Sequence, residues 1–177
     1  MKNILAFAGS NSSTSINDRL VKYVASEIKD HQVKVINLTS YEMPMYSEDE
    51  EKNSFPGMAM ALKQEISEVD ALIISVNEHN GSWSAFFKNI VDWLSRLDRN
   101  FLEGKKVLLM STAPGKRGGL SSLEYAKTVL PRFGAEITES FSFPSFYENF
   151  SSESNSVTNE TLLLGLKQVL STFAHQI

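Results

Sequence analysis

Residues 4–20 read ILAFAGSNSSTSINDRL, and this stretch decides the fold. An apolar run, 4–8, stops at Gly9. Six short hydroxyl or amide side chains follow in a row: Ser10, Asn11, Ser12, Ser13, Thr14 and Ser15. Then Ile16, Leu20, Val24 and Ile28 recur at every fourth position, the spacing of one helical face. A strand, a tight turn and a helix in immediate succession form the first half of a βαβ unit. The strand is apolar throughout rather than at alternate positions, so both of its faces must be covered.

The same alternation runs down the chain. Residues 33–38 (VKVINL), 71–76 (ALIISV) and 107–111 (VLLMS) read as further strands, and a fifth is expected in EITESFSF, 136–143, after Gly134 closes a helix. Met58, Leu62 and Ile66 mark a helix after Pro56, and the last helix is expected to begin near Thr158. Five strands separated by helices predict an α/β fold, a single domain over 1–177. Its form is a three-layer sandwich around a five-stranded parallel sheet of order 2-1-3-4-5, flavodoxin-like, with helices on both faces. Within WSAFFKNIVDWLSRL, 83–97, the apolar residues span roughly 160° of the helix, against the ~100° that suffices to face a core. The excess predicts a homodimer surface, with pairing into a tetramer left open. Residues 144–157 form the one long irregular connection, and Phe146, Tyr147 and Phe150 predict a packed loop or lid there.

Composition narrows the chemistry. The chain has 17 Lys and Arg against 21 Asp and Glu, a net charge of −4 without long runs of either sign, which argues against a nucleic-acid partner. No cysteine is present, so thiolate metal sites, iron–sulfur ligation and thiol nucleophiles are excluded, and redox chemistry would need a bound cofactor. His31, His79 and His175 lie far apart without metal-ligand spacing, and no catalytic triad is visible. The apolar core of the N-terminal MKNILAFAGS is shorter than the roughly 7–15 residues of a secretory signal, and no segment reaches membrane-spanning length. A soluble, cytoplasmic protein is expected.

In an open parallel sheet of this order, ligands sit beyond the carboxyl ends of the strands where the winding reverses. That rule brings together the loops at 9–17 (GSNSSTSIN), 77–82 (NEHNGS) and 111–119 (STAPGKRGG). The first feeds a helix N-terminus, whose free N–H groups favour an anion, and its hydroxyls and amides add neutral donors. It lacks both the G-K-S/T of a P-loop and the G-x-G-x-x-G of a dinucleotide fold, which favours a terminal phosphate monoester. The bland alternative is a Ser-rich turn that merely caps the helix.

Taken together, the loops resemble the NADPH-dependent FMN reductases. AGSNSSTSINDRL is similar to the family's G-S-x-R-x-x-S-x-N-x-x-L phosphate loop, NEHNGSWSAFFKNIVDWLSR to P-E-Y-N-G-S followed by L-K-N-A-I-D-W-L-S-R, and STAPGKRGG to S-x-x-P-G-x-x-G-G. The resemblance implies FMN and NADPH as cofactors. Ser10, Ser15 and Asn17 would hold the FMN phosphate, with Ser12 and Ile16 of the same loop also counted as cofactor-binding. Glu78, His79, Asn80 and Gly81 would run along the isoalloxazine, with Asn77 also counted among the cofactor-binding residues and Ser82 opening the next helix, and Ser111, Pro114, Gly115 and Gly118 would approach from the far side. Ser12 stands where the family usually has Arg, and Asn77 and His79 where it has Pro and Tyr. The implied activity passes hydride from NAD(P)H to flavin and on to a small-molecule acceptor: a quinone, azo compound, free flavin, metal oxyanion or nitro compound. The alternatives are a non-catalytic flavodoxin-type electron carrier and a degenerate phosphate-ligand-binding module.

Overall fold

The computed structural model describes residues 1–177. Five parallel strands, β1 (Asn3–Ala8), β2 (Gln32–Val35), β3 (Ala71–Val76), β4 (Lys106–Thr112) and β5 (Glu136–Phe143), lie in the order β2-β1-β3-β4-β5. This is the order the sequence predicts, and the fifth strand has the expected limits. β1 and β3 are buried almost throughout, which explains their unbroken apolar runs. Alternate residues along β1 serve opposite cores. Leu5 and Phe7 pack with α3 (Gly57–Ser67), α4 (Ala85–Leu97) and α5 (Leu120–Val129), whereas Ile4, Ala6 and Ala8 pack with α1 (Ile16–Glu27) and α7 (Glu160–Gln176).

Three boundaries differ from expectation. β2 ends at Val35 because Asn37 turns the chain into a 3₁₀ turn, its Oδ1 accepting from the Thr39 N–H at 3.0 Å. α4 starts at Ala85 with Ser84, not Ser82, as its cap: the Ser84 Oγ accepts from Phe87 N–H and donates to the Gly9 carbonyl. α7 starts at Glu160, where Asn159 caps the Leu162 N–H. A short helix, α2 (Glu48–Asn53), was not anticipated.

The broad apolar stripe of α4 is used up within the chain, which overturns the argument for a partner surface there. Trp93 is 0% exposed. Residues 41–55 strap across it: Tyr46 and Phe55 meet its ring edge-on at 5.2 and 6.1 Å, and its indole N–H donates to the Pro44 carbonyl at 2.8 Å. Polar bonds fasten the strap on either side. Asn89 accepts from the Tyr46 N–H at 2.7 Å, and Arg96 grips Glu51 through two bonds of 2.8 and 2.9 Å. The hydrogen bonds from Arg96 and then Tyr46 hold the Glu51 carboxyl below its usual range.

Residues 144–157 are packed, as expected. α6 (Phe146–Asn149) and the hairpin of β6 (Phe150–Ser151) and β7 (Ser156–Val157) bury Phe146 and Phe150, stacked at 4.7 Å, and leave Tyr147 exposed. No helix is long and apolar enough to cross a membrane. Trp93→Ala should cost about 3–5 kcal/mol in chemical denaturation by unseating the strap, and leave the elution volume of the folded protein unchanged.

Candidate functional site

Loops that follow β1, β3 and β4 meet at the carboxyl end of the sheet around a cleft of about 250 Å³. What holds them together is the amide of Asn17, on the first turn of α1 and 4% exposed. Its Oδ1 accepts from the Ser75 hydroxyl at 2.7 Å and from the Thr112 N–H at 3.1 Å, and its Nδ2 donates to the Thr112 carbonyl at 3.2 Å. The side chain is thus a clamp between α1 and the ends of β3 and β4. Gly9 permits the opposite packing: a Cβ there would lie 2.7 Å from Cγ of Phe87 on α4.

From the first loop, Ser10, Ser12, Thr14, Ser15, Ile16 and Asn17 line the cleft. Ser15 is the N-cap of α1, its Oγ accepting from the Asp18 N–H at 3.2 Å. Ser12 organises the turn: its Oγ accepts from the Thr14 N–H, and its carbonyl from the Ser15 N–H. After these bonds, the N–H groups of Ser13, Ile16 and Asn17 have no protein partner. Free N–H groups at a helix N-terminus, ringed by hydroxyls, make a receptor for an anion.

The second loop contributes Asn77, Glu78 and His79. His79 and Ser82 exchange backbone hydrogen bonds of 2.8 and 3.1 Å across Asn80 and Gly81, whose φ values of 52° and 79° make the left-handed pair of a tight hairpin turn. Asn80 and Gly81 therefore shape the loop without lining the cleft. The Glu78 carboxylate accepts from the Ser122 N–H at 3.2 Å, in the first turn of α5, and the Ser122 hydroxyl donates to the Asn77 carbonyl at 2.8 Å. These two bonds fasten the loop to α5.

From the third loop, Thr112, Ala113 and Pro114 line the cleft, while Ser111, Gly115 and Gly118 are not part of its lining. The buried Ser111 hydroxyl donates to the Gly118 carbonyl at 2.7 Å. Gly118, at φ 58°, lies against β5 so closely that a Cβ would meet Ser142 Oγ at 2.5 Å. The Gly115 carbonyl accepts from the Ser145 N–H at 3.0 Å and so moors the start of α6. Thr14, Thr112 and Ala113 also line the cleft although their sequence context does not mark them, and the mooring of α6 adds Tyr147, 66% exposed, two residues after Ser145 in a left-handed turn (φ 46°).

No Lys or Arg lines the cleft, and Arg117 turns toward Ser121 instead. The anion-binding capacity is therefore neutral, built from N–H groups and hydroxyls, and it lies at the α1 end. Glu78 makes the opposite end unfavourable for a phosphate and leaves it to an uncharged group. A long ligand with a phosphate at one end and a flat, neutral heterocycle at the other suits this division.

The chain is similar to several known proteins. Quinone reductase of Escherichia coli strain K12 is 33% identical over 90 residues, 50% of this chain and 48% of that enzyme. NADPH:quinone oxidoreductase of Arabidopsis thaliana is 31% identical over 123 residues, 67% of this chain and 61% of that enzyme. The matched segments thus span about half to three fifths of those relatives' lengths. The flavoenzyme NAD(P)H:(acceptor) oxidoreductase FerB from Paracoccus denitrificans has the same fold, with a TM-score of 0.83 at 24% identity over 99% of this chain and 96% of that one. The model of the NADPH-dependent FMN reductases matches residues 2–148. That match runs from the start of β1 into α6 and takes in every loop of the cleft, and the chain belongs to the NADPH-dependent FMN reductase family.

Proposed function

We propose that this chain is an FMN-dependent NAD(P)H oxidoreductase that passes hydride from the nicotinamide to the flavin and on to a small acceptor. Quinones are the first class to try, since relatives carry that name; azo compounds, free flavin, metal oxyanions and nitro compounds follow. The observation that carries the reading is the pair of unpartnered N–H groups at Ile16 and Asn17, residues that line the same cleft as the four hydroxyl side chains of Ser10, Ser12, Thr14 and Ser15. FMN fits this donor set: its phosphate monoester can take neutral donors at the α1 end, where no cation is present to favour a polyphosphate.

When bound, FMN supplies the hydride chemistry, and the protein's work is placement. The N-terminus of α1 with Ser10, Ser12, Thr14 and Ser15 would hold the phosphate. Asn77 and His79 would lie along the ring, on a loop stiffened by the hairpin turn and by the two bonds to α5. Thr112, Ala113 and Pro114 would close the far side. The cleft is open to solvent, which lets a nicotinamide leave and an acceptor take its place. No side-chain nucleophile or general acid is needed. A cytoplasmic setting follows from NADPH as reductant.

A homodimer is retained in this reading, on a surface other than Trp93. Support comes from α5, where Leu120 and Tyr125 are 39% and 40% exposed and Tyr125 meets Trp83 edge-on at 4.9 Å. The Trp83 indole N–H is buried there without a protein partner.

Purified protein titrated with FMN should quench the flavin's fluorescence, and NADPH added without oxygen should bleach the bound flavin's visible band. A benzoquinone should then restore the band. Binding without bleaching would favour the electron carrier, and no binding would favour the degenerate module. Ser15→Asp preserves a good helix cap but sets a carboxylate against the phosphate. It should weaken FMN binding at least tenfold, about 1.4 kcal/mol, and unchanged flavin content would overturn the phosphate assignment. Tyr125→Lys should halve the mass seen in light scattering, whereas a wild-type protein already monomeric at micromolar concentration would remove the dimer.

A further inference from the structure

Asn77 carries an anomaly that the anchoring of its loop does not explain. Its backbone carbonyl is engaged by Ser122, yet the side chain of this residue, which is only 7% exposed, has a single hydrogen-bond partner: Nδ2 lies 3.3 Å from Nε2 of His79. The Oδ1 is buried and has no hydrogen-bond partner at all. Turning the amide over does not cure this, because Oδ1 would then face an Nε2–H of the other His79 tautomer and Nδ2 would be the orphan. In either orientation one end of a buried amide lacks a partner, a condition that ordinarily costs stability and that folded proteins avoid. Asn77 and His79 both line the cleft, on the side where Glu78 disfavours a phosphate.

From this we infer that the Asn77 amide is a specificity residue for the flavin ring, held by His79 as a positioning residue, and that the ligand supplies its missing hydrogen bond. The inference rests on the FMN reading above. A flavin ring carries N–H donors and carbonyl or imine acceptors along its edge. The amide can meet either kind, since the His79 imidazole accepts in one tautomer and donates in the other. The backbone bonds of His79 with Ser82 and of Asn77 with Ser122 keep both residues in place while the side chains adjust.

Asn77→Leu separates a ligand-directed amide from a structural one, because the two predict opposite signs. A ligand-directed amide is a liability in the empty protein. Replacing it by an apolar group of similar size should leave the melting temperature of the flavin-free protein unchanged or raised, while affinity in fluorescence titrations falls about tenfold. The loss should be equal for FMN, riboflavin and lumiflavin, which share the ring and differ in phosphate and side chain. His79→Leu should reproduce part of the loss, and the double variant should lose less than the sum of the two. A lower melting temperature with unchanged affinity, a loss of both, or a loss confined to FMN would each overturn the inference while leaving the FMN reading intact. A wild-type protein that binds none of the three flavins would overturn both.

Discussion

The cleft depends on one buried amide. Three loops that follow three different strands can enclose a ligand only if the strand ends are held in register with the helix whose N-terminus lines the cleft. Asn17 does this with both ends of its side chain, to Ser75 on β3 and to both backbone groups of Thr112 on β4. Each of these partners is itself buried, so losing the amide would strand a hydroxyl, an N–H and a carbonyl away from water. The strength of the clamp comes from that cost more than from the bonds taken singly. It also frees the main chain: with the side chain committed to the scaffold, the N–H of Asn17 remains for a ligand.

Much of this was readable in the linear sequence. Apolar runs without alternation located the buried strands, and the winding rule then brought the right loops together. What the linear sequence hides has a common physical origin in contacts that span long distances along the chain. Asn17 reads as a ligand contact because it follows a Ser-rich turn, and it does line the cleft; its role as a clamp stays hidden because nothing local announces a partner 95 residues away. The wide stripe of α4 reads as a partner surface because periodicity counts apolar faces without saying what covers them; the cover is the strap at 41–55. α2 was missed because its residues, EDEEKN, have no apolar period, although Ser47 caps Glu50 N–H in the pattern that starts many helices. Tyr147 reaches the cleft only because Ser145 adopts a left-handed conformation, which its identity does not foretell.

Two of the three positions that depart from the family pattern, Asn77 and His79, touch each other in the structure. Seen one at a time, each is a loss, of a stiff turn in one case and of an aromatic in the other. Seen as a pair, they form a polar unit whose backbone is stiffened by other means, the hairpin turn and α5. The third departure, Ser12, works within its own loop by ordering Thr14 and Ser15 so that neighbouring N–H groups remain free.

A phosphate site built without Lys or Arg also has a distinctive response to its surroundings. Most anion receptors draw their ligands through a positive field and weaken as ionic strength rises. Here the chain carries a net charge of −4, Glu78 lines the cleft, and only short-range dipoles and hydroxyls attract the dianion. With no cation in the lining to act over a distance, dissolved salt has little attraction to screen, and it barely touches hydrogen bonds at contact distance. Under the proposed function, binding of FMN would therefore be tolerant of salt, governed by fit at the rim rather than by attraction from afar.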